Sequence, residues 1–423
     1  MVDLIEILTY TGTFAGLYFG ILIFVTLAEN RQDLYEKTPL LNLPKVSIIL
    51  PCFNEENNVE ESLVSLANLD YPQDKLEIIA VDDGSSDGTL DKMLAFQTKN
   101  PAIKVLRKEN GGKHTALNLA IPQATGEIIG TLDADCLVEP NCLKQMLKYF
   151  HDPKVMAVVS TIKVRQPNNL IEGIQYAEFV ISGFIKKIVS FLGGLTVTPG
   201  PMSLFRKETF AIVGPYKKAH MTEDLEMALR LQSHNMKIAC AWEAAVYTKG
   251  KPDLKSLSQQ RMRWQRGFLL NLKDYSRLFN FRTHGNLSFL LFYSLLGVLL
   301  SVSLIFILLF QIVKTVLNHL NQAWLIKFDF WPLISWKSFN LDWVSSNSLM
   351  ILGFLASAMI LSFFFLGRKY AFEKNKIGQK ILFWLLIYPF YPFLYATLWI
   401  LTTASMVSGR EMKWHGNNSG KKI

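Results

Sequence analysis

The chain is divided sharply by hydropathy, and that division limits its possible folds more than any other feature. Residues 4–28 are nearly continuously apolar, and similar runs return at 287–313, 349–366 and 381–407. Each is long enough to cross a bilayer as a helix. A cleaved signal peptide is the alternative for the first run. Against it, Asp3 and Glu6 stand where a positive leader is expected, and no small-residue cleavage site follows. Arg31 and Lys37 come next, which predicts an external N-terminus and an internal continuation.

The same charge rule predicts a cytosolic turn at Arg368, Lys369, Lys374, Lys376 and Lys380. The stretch 314–345, with Trp324, Trp331, Trp336 and Trp343, is then expected outside, its aromatics at the interface. The last run contains Pro389 and Pro392. A straight span leaves the basic tail 409–423 (Arg410, Lys413, Lys421, Lys422) outside, whereas a kinked, partly re-entrant element keeps it inside; the pattern leaves both open.

Between residues 46 and 272 short β-branched runs alternate with helical stretches, which predicts a parallel α/β sheet. The runs 46–50, 76–81, 103–106, 128–132 and 155–159 read as buried strands. Ligands bind such sheets at the carboxyl ends of the strands, so the following loops are the places to look for chemistry. Cys52, Cys136, Cys142 and Cys240 form no C-x-x-C pair, so neither a disulfide framework nor a zinc cluster is expected. The net charge of +9 does not point to nucleic acid, because the basic residues flank apolar runs instead of clustering on a binding module.

Several polar constellations fall in those loops. Asp82-Asp83-Gly84-Ser85-Ser86-Asp87 follows a strand, where a carboxylate can bond a base or ribose; the plainer reading is a turn leading into a helix cap. Asp133-Ala134-Asp135 ends another strand. In extended chain, residues i and i+2 face one way, so both carboxylates can converge on a hard cation that also holds substrate phosphates. Thr222-Glu223-Asp224 opens a helical pattern, either as a threonine cap with dipole-favoured acids or as the seat of a base for a hydroxyl proton. In the helical stretch 259–264, Gln260, Arg263 and Trp264 share a face, and an amide, a guanidinium and an indole there suit a diphosphate and a sugar ring. A basic helix on the membrane surface, using Arg261 and Arg266, is the alternative. Lys113 follows Asn110-Gly111-Gly112, a turn whose backbone can approach a ligand.

Taken in order, Ser47 to Pro51 with Asn54-Glu55, Val81 to Asp87, Asn110 to Lys113, Asp133-Ala134-Asp135, Thr222-Glu223-Asp224 and Gln260 to Trp264 resemble the family-two inverting glycosyltransferases. More narrowly they resemble the membrane-integrated processive branch, which makes cellulose, chitin, hyaluronan and poly-N-acetylglucosamine. The resemblance implies an α/β GT-A domain, a mostly parallel sheet flanked by helices, at 44–275. It would be inserted between an N-terminal transmembrane helix at 1–30 and C-terminal helices at 286–408, and be cytosolic on a multi-pass protein of the plasma (inner) membrane.

It also implies roles. Asp83 would contact the nucleoside of a UDP-sugar, with Glu55 and Lys113 nearby. Asp133 would lie at the nucleotide and metal, Asp135 would ligate Mg2+ or Mn2+, and Asp224 would be the general base. Gln260, Arg263 and Trp264 would hold the donor diphosphate and the acceptor end. The Thr198-Pro199-Gly200-Pro201 segment matches the family only in part, and Lys249 and Gly250 stand where an acid is common in it. The acceptor would be a growing polysaccharide or a lipid-linked sugar, and a small set of membrane helices allows for an accessory subunit. Two rivals stand beside the synthase reading: non-processive transfer of one sugar to a lipid, and a non-catalytic nucleotide-binding assembly subunit.

Overall fold

A computed structural model describes residues 4–40, 42–325, 348–371, 379–388 and 391–409. At its centre are eight strands: β1 Val46–Cys52, β2 Leu76–Asp82, β3 Ile103–Arg107, β4 Ile128–Thr131, β5 Cys136–Val138, β6 Val155–Val164, β7 Ser203–Arg206 and β8 Lys237–Thr248. They form one sheet in the order β3-β2-β1-β4-β7-β6-β8-β5. The half built on β1 is parallel, with Ile48 opposite Ile78 and Gly130, whereas β7 runs antiparallel to both β4 and β6 and β5 antiparallel to β8.

The five expected strands are all present: the apolar runs of β1, β2, β4 and β6 are buried almost throughout, as expected of strands covered on both faces, while β3, at the sheet edge, is mostly half-buried. Successive residues of β1 supply opposite cores: Ile48 and Leu50 pack with Leu63 and Leu204, while Ile49 packs with Ile79, Leu117 and Phe205. Strands β5, β7 and β8 were not expected. The first two have three and four residues, and β8 is rich in alanine, a poor strand former, so their pairing is set by distant partners.

Helices α1 Leu4–Glu29, α2 Val59–Ala67, α3 Thr89–Lys99, α4 Lys113–Ala120, α5 Cys142–Leu147, α6 Leu170–Phe191, α7 Lys207–Val213, α8 Glu223–Ser233 and α9 Leu254–Asp274 precede or flank the sheet. Then come α10 Phe281–Leu325, α11 Ser348–Tyr370, α12 Gln379–Ile387 and α13 Tyr391–Val407. The amphipathic α6 joins the two regions. Its buried Tyr176, Ile181 and Phe184 pack in one cluster with Ile23 of α1, Phe363 of α11 and Trp384 of α12.

Among the described residues, three helices are long and apolar enough to cross a membrane, at Ile7–Glu29, Phe281–Asn318 and Ile351–Tyr370. The last apolar run is not one straight helix. It forms α12 and α13, of 9 and 17 residues, which pack separately, α12 on α6 and α13 on α9 and α10. Trp331, Trp336, Trp343, Lys374, Lys376, Pro389 and the tail from Arg410 lie outside the described residues.

Candidate active site

The loops after β1, β2 and β4, the start of α8 and one face of α9 surround a cavity of about 1120 Å³. It receives all nine site residues expected from the sequence: Glu55, Asp83, Lys113, Asp133, Asp135, Asp224, Gln260, Arg263 and Trp264. They come from six places spread over 210 positions of chain, and the sheet order brings β1 between β2 and β4 so that their loops meet.

Asp83 is 2% exposed and ties β2 to the glycine turn. The N–H groups of Gly111 and Gly112 donate to its carboxylate at 3.1 and 2.8 Å, and Lys108 Nζ lies 2.6 Å away. Gly112 adopts φ +91°, a conformation that suits glycine. The turn reading of the same segment also holds, since Asp87 accepts from the Thr89 N–H at 3.1 Å at the start of α3. Across the cavity mouth Glu55 accepts from Asn58 Nδ2 at 2.6 Å, and Asn58 Oδ1 accepts from Lys249 at 2.5 Å. Burial, with Asp135 and Asp133 adding repulsion, pushes Glu55 up to about 7.

Lys113 stands at the centre of the acids. Its Nζ lies 2.6 Å from Asp133 Oδ1 and 3.0 Å from Glu223 Oε1. Burial would lower this ammonium, yet Asp133, Glu223 and Asp224 together hold it well above its ordinary value. Glu223, which burial would raise, is drawn below its usual range chiefly by Lys113. Asp133 goes up through burial and the neighbouring Asp135, against the pull of Lys113. The Pro199-Gly200-Pro201 backbone presses on this pair so closely that a Cβ at Gly200 would run into the Asp133 carboxylate and Lys113 Nζ.

Asp224 lies in the first turn of α8, where the N–H and hydroxyl of Thr198 both donate to its main-chain carbonyl at 3.0 and 2.9 Å. Burial, then repulsion from Glu223, pushes its carboxyl up to about 6, opposed by Lys113 and Arg263. A carboxylate poised there is suited to taking a proton near neutral pH. Thr222 occupies the cap position but its side chain makes no capping hydrogen bond; its hydroxyl donates to Ala219 O at 3.0 Å instead. Just before it, Ala219, His220 and Met221 have φ of +46°, +55° and +66°, a left-handed run of non-glycine residues that costs about 1–2 kcal/mol per residue. Asn271 and Arg263 of α9 hold it in place: Asn271 donates to Thr222 Oγ1 at 2.9 Å and Arg263 to Met221 O at 2.6 Å.

On α9, Gln260, Arg263 and Trp264 share the cavity face as their spacing requires. Arg261 corrects the alternative of a basic surface helix: it is fully buried, 2.6 Å from Glu178 of α6 and bonded to Tyr391 of α13 at 3.1 Å. It also donates to Gln260 Oε1 at 2.8 Å and lies 4.2 Å from the Trp264 ring centre, so it orients both. Beyond Trp264 the cavity continues between Phe268, Ser294 and Ser301 of α10, and Tyr395 and Trp399 of α13.

Asp133 and Asp135 offer carboxylate oxygens to the same space, with Cys136 Sγ 3.2 Å from Asp135 Oδ1. Among the described residues no group of three or more His, Cys, Asp or Glu is gathered into a metal cage. The pair fits a hard divalent cation that takes its remaining oxygens from substrate phosphates. The sequence reading named Glu223, Thr198 and Gly200 within their segments but gave none of them a role of its own. Glu223 was visible beside Asp224, but its pairing with Lys113, 110 positions away, was not.

A model described as Glycosyl transferase family 2 matches residues 47–212. The chain is 31% identical over 276 residues to Poly-beta-1,6-N-acetyl-D-glucosamine synthase of Staphylococcus aureus, an alignment covering 63% of this chain and 66% of that one. For the synthase of the same name in Staphylococcus epidermidis it is 31% over 256 residues, 60% of this chain and 61% of the other. The match thus spans slightly less than two thirds of these relatives. Among solved structures, a mannosyltransferase from Pyrobaculum calidifontis in complex with GDP-Man and Mn2+ superposes with a TM-score of 0.61 at 20% identity, covering 96% of this chain and 100% of that one. That likeness shows a shared glycosyltransferase fold.

Proposed function

Because the chain carries a family-two glycosyltransferase domain, we propose that it transfers N-acetylglucosamine from UDP-N-acetylglucosamine to the end of a β-linked polysaccharide at a membrane. The observation that carries this reading is the single cavity, which joins the Asp133, Asp135 and Asp224 carboxylates to a chamber walled by Trp264, Tyr395 and Trp399. Carboxylates and cations suit a nucleotide diphosphate, and aromatic faces suit sugar rings. The name shared by the two relatives supports the choice of sugar and a β-1,6 linkage.

In the reaction Asp224 takes the proton of an acceptor hydroxyl, whose oxygen attacks the anomeric carbon as the bond to UDP breaks, inverting an α-linked donor to a β-linked product. Arg263 leaves Met221 O to meet the diphosphate, and Gln260 steadies it. Asp133 and Asp135 would hold Mg2+ or Mn2+, which neutralises charge on the departing phosphates. Asp83 keeps the Gly111-Gly112 turn shaped beside the nucleoside, with Glu55 at the rim. The helices α1, α10 and α11 anchor the domain in the bilayer, with the sheet on the cytosolic side and the chamber beyond Trp264 leading the product toward the membrane; an accessory subunit would complete the path.

Purified protein in lipid nanodiscs, given radiolabelled UDP-N-acetylglucosamine and Mg2+ or Mn2+, should yield a polymer with release of UDP. A single labelled glycolipid would establish one-sugar transfer instead. Neither transfer nor donor hydrolysis, with UDP still bound, would favour an assembly subunit.

A further inference from the structure

Helix α6 turns Phe179, Ser182, Gly183 and Lys186 toward the cavity, on one face. The reaction above gives Lys186 no task. Its Nζ has the Ser160 carbonyl for a partner at 3.5 Å, the outer limit of a hydrogen bond. None of the six carboxylates lining the cavity pairs with it; burial lowers its ammonium, and Cys240 is the one other group bearing on it among the described residues.

Its neighbour Lys187 shows how this fold compensates a buried lysine. Lys187 points away from the cavity, donates to Cys240 O at 3.0 Å and Tyr149 Oη at 3.2 Å, and lies 5.1 and 4.9 Å from the Tyr149 and Phe191 ring centres. Lys186, half-buried at the cavity wall, has no such set, and its ammonium is left to find oxygens in the cavity itself. Ser160 ties it to the acceptor side. The Ser160 hydroxyl donates to Pro201 O at 2.8 Å, in the segment whose Thr198 fixes Asp224. The same cavity offers hydroxyls and rings to a sugar unit, with Ser182 and Phe179 on the face of α6 that carries Lys186 and Ser294 and Trp264 on other walls.

We infer that Lys186 forms an acceptor subsite selecting N-acylated, uncharged sugar units over units that bear a free amine. Its ammonium donates to the acyl carbonyl of an acceptor unit and repels an aminium at the same place. The inference rests on the reading of the chain as an N-acetylglucosamine transferase.

The test compares wild type, Lys186→Met and Lys186→Arg with UDP-N-acetylglucosamine and two acceptors, short β-1,6-linked N-acetylglucosamine oligomers and the same oligomers after de-N-acetylation, at about pH 7. Wild type and Lys186→Arg should prefer the acetylated acceptor. In Lys186→Met the ratio of kcat/KM values should fall about tenfold or more, through a higher KM for the acetylated oligomer and a lower one for the free amine. Donor KM and UDP affinity should stay at wild-type values, which also shows that the variant is folded. An unchanged ratio overturns the subsite alone, and a donor KM that rises with the acceptor KM assigns Lys186 to the donor instead. A wild-type protein that transfers no N-acetylglucosamine overturns the functional reading and the subsite with it.

Discussion

Lys113 Nζ sits 2.6 Å from Asp133 Oδ1, so the carboxylate that opens the Asp-x-Asp element is already paired with a cation from the start of α4. The same ammonium reaches Glu223 at 3.0 Å. It thereby offsets the mutual repulsion of Asp133, Glu223 and Asp224. Replacing Lys113 with Met should lower kcat/KM by about 10²-fold or more, and Lys113→Arg should recover part of it. Steady-state kinetics with UDP-N-acetylglucosamine reads both.

Asp224→Asn keeps the shape of the first turn of α8 and removes the proposed base. Transfer should fall by about 10²–10⁴-fold while UDP affinity by calorimetry stays near wild type. Equal loss of both would count against the base assignment. Burial and Glu223 push Asp224 up to about 6, and a base works only when ionised, so the rate should rise with pH through about 6 and be lost below it. Glu55, pushed up to about 7 chiefly by burial, adds a second step that Glu55→Gln should remove from the profile.

Among the described residues no group of three or more His, Cys, Asp or Glu is arranged to hold a metal, so a cation at Asp133 and Asp135 would depend on the donor phosphates. Chelation by EDTA should stop transfer, and Mg2+ or Mn2+ should restore it. Asp135→Asn should raise the metal concentration needed for half-maximal rate by about tenfold. A variant with an unaltered metal requirement would exclude Asp135 as a ligand.

Arg261 is fully buried and pairs with Glu178 at 2.6 Å, joining α9 to α6. Arg261→Met leaves a carboxylate largely shut off from water and should destabilise the protein by about 3–5 kcal/mol, read as a fall in Tm. Adding Glu178→Leu should recover much of that stability, yet not the rate, because Gln260 and Trp264 also lose the group that orients them.

Much of this was legible in the sequence because it is written in local pattern. Apolar length marked the membrane-competent helices, short apolar β-branched runs marked strands β1 to β4 and β6, and motif order marked the residues of the cavity. Strands β5, β7 and β8 escaped because a short or alanine-rich strand is stabilised by partners far along the chain. Pro389 and Pro392 had left a kinked last run open; which elements its two helices pack on, α6 for α12 and α9 and α10 for α13, was not written in composition.

The sequence by itself determined which residue types face which kind of environment, since hydropathy and period act over a few neighbouring residues. Only the tertiary structure decided partners. By sequence Lys113 followed a turn that approaches a ligand, yet the sheet order sets it between Asp133 and Glu223; Arg261 was open to a surface role and is a buried strut. The Thr198–Pro201 segment matched a family pattern only in part, and what Gly200 lies against, the Asp133 carboxylate and Lys113 Nζ, was set by distant segments. Such pairings depend on distances across the fold, and a linear pattern does not record them.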